Sequence, residues 1–403
     1  MNIGLLHNKG TTNIGDDIQS YALENLLPRV DTMVDRENMH TNEHFNNKPT
    51  ATVMAAWFMG RKWQWPPADC LRPLFISFHY TDFTDYPYKY FRSEYEYISG
   101  PGAEYLNAWG PVGCRDLFTM EQLQKRGIEA YFSGCVTLTL PKQPVTKDAG
   151  KYVCLVDVPK AVEEKVRKIY KDTDKEIRVI THKTPASGHL TQAHRRAEVE
   201  KLLTTYQNAY CVITRRLHVS LPCLAMETPV ILVNTKMDPT RFRPYADWVT
   251  SMSPAEFLER DVTDLLLNPK PNKKDYLPYR ENLIKKITEF GQYALTADNI
   301  EPRHPLPYSR MEYLEWHNSV MQDNLFRWYQ QSKALFKDLD KAGTQNKKLT
   351  AANKKLKAAD KKKAATIKKL KAEIAALQKL TGQTPVSENP AKPGFWKQLF
   401  SKR

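Results

Sequence analysis

The sequence predicts an α/β fold with two Rossmann-like domains. The first observation is its opening, which reads as a short apolar strand, a polar loop and a helix. The second is that the same alternation of strands and helices returns between residues 152 and 234. The third is a polar stretch between the halves, residues 141–150, which contains two prolines and reads as a linker.

In the first half, residues 2–7 form the predicted opening strand, and the polar loop after it ends at Gly15. The next apolar residues recur at intervals of three and four, which predicts a helix that stops at Pro28. The other elements predicted in this half are buried strands at 52–58, 74–78 and 130–132 and a helix at 117–125.

The second half repeats this order. Its predicted strands lie at 152–156, 177–181, 209–214 and 230–234, and its helices at 160–170, 193–205 and 217–226. Ligands of doubly wound sheets bind beyond the carboxyl ends of the strands. Two such halves joined by a linker therefore predict a glycosyltransferase-B-like arrangement with a cleft between the domains.

Two further helical patterns follow, at 279–297 and 309–339, and composition then changes sharply after Gly343. The predicted organisation is an N-terminal Rossmann-like domain at 1–140, a linker at 141–150, a C-terminal Rossmann-like domain at 151–300, a helical extension at 301–343, a Lys/Ala-rich helix at 344–381, and a disordered spacer with a basic amphipathic end at 382–403.

The Lys/Ala-rich helix carries an interrupted heptad pattern. Isoleucine falls at position a and leucine at position d, and asparagines fall at further a positions, which favours a parallel two-stranded coiled coil. Asp360 and Lys363 interrupt the stripe. The segment therefore predicts a weak zipper that could join two copies of the chain. The residues in this frame are Asn346, Leu349, Asn353, Leu356, Ile367, Leu370, Ile374 and Leu377.

The basic charge of the chain is concentrated in its tail. The 403 residues carry a formal net charge of +15, but residues 344–403 hold 16 basic and 3 acidic residues, whereas residues 1–343 hold 44 and 42. The body is nearly neutral and has no pattern of aromatic and basic residues typical of a nucleic-acid groove. We therefore expect no binding of nucleic acid.

Cysteine spacing and hydropathy predict a cytoplasmic protein. None of the six cysteines forms a C-x-x-C pair, so we expect buried free thiols and no metal site. The amino terminus lacks the pattern of a cleavable signal, and no run of about 18 apolar residues occurs.

Three blocks of residues are candidates for chemistry. The first contains Asn13, Gly15, Asp16 and Asp17 at the start of the first helix. Either carboxylate could simply cap that helix. A carboxylate at the mouth of a first βα turn could equally act as a base on a substrate hydroxyl.

The second block is Gly113, Arg115, Asp116 and Thr119, at a junction between a loop and a helix. Arg115 could pair with a neighbouring carboxylate. It could also grip a phosphate or carboxylate beside the exposed amides of the helix start. The residues alone leave both interpretations open.

The third block places Arg215, Arg216, Leu217 and His218 directly after a buried strand. Burying this much positive charge for packing alone would be costly, so we expect an anionic partner. His218 could titrate near neutral pH and act as an acid or a base.

Together the blocks resemble the polysaccharide pyruvyl transferase family. The resemblance covers roughly residues 1–234 and includes the proline and valine of a strand after the third block. It implies a glycosyltransferase-B-like fold that binds phosphoenolpyruvate and forms a cyclic ketal on a sugar. The sequence departs from the family pattern at Ser133–Val136, at Glu227–Thr228 and at Arg215.

The resemblance also implies roles for individual residues. Arg216, Leu217 and His218 would contact phosphoenolpyruvate, and Arg115 would be a second grip on the anion. Arginine forks suit its carboxylate and phosphate, so no metal and no cofactor is expected. We expect His218 to be the acid and Asp16 or Asp17 the base, with Asn13, Gly15 and Arg215 beside the acceptor.

Two alternatives remain at this stage. The same arginines could bind the pyrophosphate of a nucleotide sugar, which would make the protein a glycosyltransferase. A coiled-coil scaffold or nucleic-acid binder would rest on the tail alone. The tail could be a solvated spacer, but its end, with Phe395, Trp396, Leu399 and Phe400 among basic residues, favours an anionic membrane surface. The family resemblance adds that the sugar acceptor there could be lipid-linked.

Overall fold

The structure is a computed structural model that describes residues 1–40, 45–58, 65–80, 97–184, 191–234, 242–243 and 245–380. The chain forms two compact units, Met1–Gln322 and Asp323–Arg403. The first unit contains both predicted α/β halves. The predicted spacer and amphipathic end, residues 382–403, lie outside the described residues.

Within the described residues, the first half contains a four-stranded parallel sheet in the order β2-β1-β3-β4. Helix α1 (Ile14–Glu24) follows β1 and buries Ile18 and Ala22 against Leu5 of that strand. The strands are β1 (Asn2–His7), β2 (Thr32–Asp35), β3 (Thr50–Val53) and β4 (Leu71–Leu74).

A shorter parallel pair completes this half. Strands β5 (Val112–Cys114) and β6 (Ala130–Phe132) lie side by side, and a single parallel bridge between Phe78 and Cys114 joins them to the segment after β4. Helix α2 precedes β5 and helix α3 follows it. These helices span Pro101–Trp109 and Leu117–Gln124, and a buried 3₁₀ helix follows at Val136–Thr139.

The second half contains a parallel sheet whose described strands run in the order β11-β10-β9-β7-β8. They are β7 (Tyr152–Val156), β8 (Glu176–Ile180), β9 (Cys211–Thr214), β10 (Val230–Val233) and β11 (Thr250–Met252). The helices are α4 (Lys160–Ile169), α5 (Gln192–Gln207), α6 (Leu217–Ala225), α7 (Tyr245–Trp248), α8 (Pro254–Glu259), α9 (Thr263–Leu267) and α10 (Leu277–Thr296). Parallel sheets with crossover helices confirm the predicted α/β class.

One large hydrophobic core connects the two halves. It includes Leu5 of β1, Ile18 of α1, Val156 of β7, Leu221 of α6 and Ile287 of α10. Helices α1 and α6 both contribute to this core, and their amino ends meet where Gly15 of α1 lies against His218 of α6. That junction contains the first and third sequence blocks.

Two predicted strands are wrong in their bounds. The strands expected at 52–58 and 74–78 lie earlier, at β3 and β4. The apolar runs continue past the strand ends because Met54, Phe75 and Ile76 are buried in irregular segments. Apolar runs report burial, and burial does not mark where a hydrogen-bonded ladder ends. Strands β2, β5 and β11 and helices α2, α7, α8 and α9 were not predicted from the sequence.

The last helix, α11 (Arg310–Leu380), is longer than predicted because the patterns at 309–339 and 344–381 form one continuous element. Extending the predicted heptad frame towards the amino terminus places Leu325, Trp328, Leu335 and Leu339 at a and d positions. These four side chains are exposed, as are Leu349, Leu356, Ile367, Leu370 and Ile374. Pairing of this stripe with a second copy stays a prediction.

All six cysteines are buried and free, as the spacing predicts. Among the helices of the described part of the chain, none combines the length and apolarity that crossing a membrane requires.

Candidate functional site

The first block forms the turn between β1 and α1, at the carboxyl edge of the first sheet. Asn13 is the N-cap of α1, and its side-chain oxygen accepts a hydrogen bond from the backbone N–H of Gly15 at 3.3 Å. Asp16 lies in the first helical turn, where Thr11 donates to its carboxylate at 2.6 Å. Asn13 rather than either aspartate therefore caps the helix, which leaves both carboxylates for other contacts.

Asp17 contacts the other half of the protein. Its Oδ1 lies 2.8 Å from Nη2 of Arg195, which belongs to α5. Burial raises the pKa of Asp17 to about 6, although Arg195 opposes this rise. Arg195 also donates to the backbone carbonyls of Asn8 and Lys9, at 3.1 Å each. One guanidinium thus holds both ends of the first loop.

A second link between the halves is made by backbone groups. The N–H of Ile14 donates to the carbonyl of His182 at 3.1 Å, and the N–H of Thr184 donates to the carbonyl of Thr12 at 2.9 Å. These bonds place the first loop against the segment after β8. The loop is therefore fixed to the second half by its main chain as well as by Arg195.

The third block lies at the carboxyl end of β9. Arg215 is exposed, while Arg216 is partly buried and stands at the N-cap of α6. Nε of Arg216 is 2.8 Å from Oδ2 of Asp157, which follows β7. Burial alone would raise the pKa of Asp157, but hydrogen bonds from Thr181, His182 and Arg216 hold it below its usual value. A charged carboxylate therefore orients Arg216.

His218 joins the first and third blocks. A Cβ built on Gly15 would lie 3.0 Å from both Cβ and Nδ1 of His218, so the imidazole packs directly against the glycine. His218 is partly buried, and its backbone, with φ of −79° and ψ of 24°, departs from helical geometry inside α6. This contact places the first and third blocks next to each other. Leu217 beside it is buried in the core.

Arg115 of the second block is buried, with 1% of its surface exposed. Its Nη1 donates to the side-chain oxygen of Gln19 in α1 at 3.4 Å, and Nε lies 3.9 Å from Asp116. Nε and Nη2 have no hydrogen-bond partner within the described ranges. Both interpretations of Arg115 therefore keep support. Its approach to Asp116 agrees with pairing to a neighbouring carboxylate, and its two donors without a hydrogen bond could bind an anion.

Asp116 has a structural role that the sequence left open. It accepts a hydrogen bond from the backbone N–H of Thr119 at 2.9 Å and so caps α3. Its other oxygen lies 2.5 Å from Nδ1 of His79. Burial alone would raise the pKa of Asp116, but His79, Arg115 and the Thr119 amide together lower it. Asp116 and His79 form a buried pair.

Four residues of this region, Asp157, Arg195, His182 and His79, were not predicted from the sequence. Asp157 follows a predicted strand, so its position at the carboxyl edge of the sheet was a usable signal. Arg195 lies within an ordinary helical pattern, and nothing local distinguishes it from the exposed Arg196. His182 and His79 each follow a sheet segment, and burial lowers the pKa of His182 to about 4.

A search of protein families gives one relevant match. A model of the polysaccharide pyruvyl transferase family matches residues 102–236. This segment contains Arg115, Arg215, Arg216, Leu217 and His218, so the match confirms the resemblance for the second and third blocks. It indicates a transferase and supports polysaccharide pyruvyl transfer in general.

Solved structures with some similarity include nucleotide-sugar enzymes. A putative UDP-N-acetylglucosamine 2-epimerase from Listeria monocytogenes has 14% identity and a TM-score of 0.42, covering 76% of this chain and 100% of that one. UDP-GlcNAc 2-epimerase from Methanocaldococcus jannaschii has 12% identity and a TM-score of 0.40, covering 72% and 100%. A variant of the wall teichoic acid polymerase TagF has 9% identity and a TM-score of 0.36, covering 80% and 88%. A comparison with curated proteins finds no match.

Proposed function

We propose that the protein moves the pyruvyl group of phosphoenolpyruvate onto two hydroxyls of a sugar and releases phosphate. The observation that carries this proposal is the contact between Gly15 and His218. This contact places the first block, which contains Asp16 and Asp17, next to the third block, which contains Arg215 and Arg216. Supporting this, the family match covers that cationic block.

The donor would bind at the start of α6. Asp157 engages Nε of Arg216, so the terminal nitrogens of that guanidinium are the part that would face an anion. Exposed Arg215 adds positive charge beside it. Arginine forks match both the carboxylate and the phosphate of phosphoenolpyruvate. The unpaired donors of Arg115 would form the second grip.

The reaction requires one acid and one base. A sugar hydroxyl adds to the central carbon of phosphoenolpyruvate while the methylene carbon takes a proton, and a second hydroxyl then replaces phosphate to close the ketal. His218 would supply the proton. Asp16 is our first choice as base because Asp17 is paired with Arg195.

The decisive experiment measures phosphate release from phosphoenolpyruvate with candidate lipid-linked and nucleotide-activated sugar acceptors. We expect acceptor-dependent release, with the product heavier than the acceptor by one pyruvyl ketal. In parallel, thermal stabilisation by phosphoenolpyruvate is compared with stabilisation by a panel of nucleotide sugars. Stabilisation by a nucleotide sugar alone, without phosphate release, would replace this proposal with a glycosyltransferase of glycosyltransferase-B-like fold.

We propose the cytoplasm as the location, with the tail at an anionic inner membrane surface. A lipid-linked acceptor would be concentrated there. The net positive charge of residues 344–403 supports this arrangement.

A further inference from the structure

The loop between β1 and α1 carries Asp16, the proposed base, and the contacts inside this loop determine only its shape. The carboxylate of Asp16 accepts hydrogen bonds from the Thr11 hydroxyl at 2.6 Å and from the Asn8 side-chain amide at 3.4 Å. The Thr11 hydroxyl in turn accepts from the backbone N–H of Asn13 at 3.0 Å. All these partners belong to the loop, so they orient the carboxylate within it. They do not determine where the loop lies relative to the block after β9.

Arg195 reaches this loop from the second half of the protein. Its Nη1 donates to the carbonyl of Lys9 and its Nη2 to that of Asn8, at 3.1 Å each, and Nη2 also lies 2.8 Å from Oδ1 of Asp17. The bond to Asn8 is the shortest route to the proposed base, because the side chain of the same residue contacts Asp16. A single residue therefore separates Arg195 from Asp16.

The guanidinium is well suited to hold three acceptors at once. The Arg195 side chain is 6% exposed, so water weakens its hydrogen bonds little. Its planar fork directs several donors along fixed lines, which a lysine ammonium cannot do. Helix α5 is anchored in the core through Val199 and Leu203, which pack there with Ile18 of α1 and Leu221 of α6. Arg195 thus projects from a helix whose position relative to α6 is fixed by packing.

We infer that Arg195 is a positioning residue for the proposed reaction. It holds the loop of the first half, which carries Asp16, at a fixed place relative to Arg216 and His218 of the second half. This inference rests on the proposed function. Arg195 acts through Asp16 and not by contact with the reacting atoms.

Loss of Arg195 should lower kcat and leave binding of phosphoenolpyruvate unchanged. The three contacts of Arg195 are with the first loop and α1, whereas Arg215 and Arg216 follow β9. A misplacement of about 1 Å can cost about a hundredfold in rate. The backbone bonds from the segment after β8 to Thr12 and Ile14 remain. We therefore expect a smaller loss, about tenfold in kcat, with KM for phosphoenolpyruvate within about twofold of the wild type.

The test replaces Arg195 by Met in the full-length protein. Phosphate release from phosphoenolpyruvate is measured with the sugar acceptor that supports it in the wild type. The matched control is Arg196→Met. Arg196 is the next residue of α5, and it pairs with Glu24 at 2.7 Å and with Glu200 at 3.0 Å. It links the same two helices at the far end of α1, so its loss should leave kcat unchanged.

A second variant separates misplacement from instability. Arg195→Met leaves the buried carboxylate of Asp17 without this partner, which should lower Tm. Combining it with Asp17→Asn removes that charge and should restore Tm. The kcat of this double variant should still be about tenfold below that of Asp17→Asn alone, in which Arg195 keeps the carbonyls of Asn8 and Lys9. Because both proteins lack the Asp17 carboxylate, its loss cannot cause the difference.

Hydrogen exchange measures the placement of the loop independently of the reaction. The amides of residues 8–17 should exchange faster in Arg195→Met than in the wild type or Arg196→Met. Unchanged exchange, or equal kcat for Arg195→Met and Arg196→Met, overturns the inference and leaves pyruvyl transfer intact. Faster exchange, in a protein whose wild type releases no phosphate with any acceptor, supports the hold of Arg195 on the loop and refutes the proposed reaction.

Discussion

His218 is the residue on which the proposed chemistry depends most. It lies against Gly15 and directly follows Arg215, Arg216 and Leu217, so it stands beside the proposed donor site. We expect His218→Ala to lower kcat for phosphate release by about a hundredfold or more, because general acid catalysis is lost. Steady-state kinetics measures this. His194→Ala is the control, since His194 is an exposed histidine near the start of α5, and it should keep wild-type turnover.

Gly15 permits the two halves to meet. A methyl group there would press on the His218 ring, which would have to move by a few tenths of an ångström. Alanine also favours the helix, so global stability should change little, whereas kcat should fall about tenfold through misplacement of the imidazole. Gly10→Ala is the control because nothing lies within 4 Å of the added Cβ. Equal kcat for both variants would refute a catalytic role for this contact.

At the scale of elements, α1 and α5 are coupled through Asp17 and Arg195. The folded-state pKa of Asp17 is about 6, above its usual 3.8, so the folded protein binds this proton more tightly than the unfolded chain. Its contribution to the free energy of unfolding is therefore present below about pH 4 and is lost as pH rises towards 6.

We expect Asp17→Asn to remove this loss. The free energy of unfolding of the wild type minus that of the variant should therefore fall between pH 4 and 6.5. Urea unfolding at several pH values measures the difference. Burial lowers the pKa of His182 to about 4 and gives the opposite slope in the same range. Because both proteins contain His182, its effect cancels in the comparison. A constant difference across the range would contradict the burial argument for Asp17.

The second prediction at the scale of elements is that two copies of α11 pair with each other. Its exposed a and d positions would be costly to leave in water over so long a helix, whereas the lysines at b and c suit solvent. We expect a parallel dimer in sedimentation velocity at micromolar concentration, and a monomer when Leu349 and Leu356 are both changed to Asp. Ala351→Asp with Ala358→Asp, at the outer f positions, should remain dimeric. A monomeric wild type would end this prediction.

At the scale of the whole molecule, charge is divided between a nearly neutral body and a basic tail. We expect the full-length protein to bind vesicles containing anionic lipid, and a chain ending at Gly343 to bind at least about a hundredfold more weakly, because each basic residue near the surface adds about 1 kcal/mol. Co-sedimentation at two salt concentrations measures this, with neutral vesicles as control. Equal binding by the shortened chain would remove the membrane role from the tail.

Much of the architecture could be predicted because it depends on near neighbours in the chain. Apolar spacing located β7, β8, β9 and β10 of the second half; of these, β7, β9 and β10 are buried along their whole length. It failed at β3 and β4, because the chain stays buried after leaving the sheet. Short elements such as β5 carry too few residues to show a period.

Part of the candidate site could likewise be predicted from the sequence, and part of it could not. The sequence by itself determined which residue types stand at the strand ends. Arg215, Arg216 and His218 directly follow an apolar strand pattern, so their position could be predicted without the structure. The structure was needed to show that Asn13, and not an aspartate, caps α1, although that contact is local. Tertiary structure alone decided that Asp17 pairs with Arg195 and that Asp157 orients Arg216. Each of these two pairs joins residues far apart in the chain: the packing of α1 against α5 brings the first pair within hydrogen-bonding distance, and the pairing of β7 with β9 brings the second.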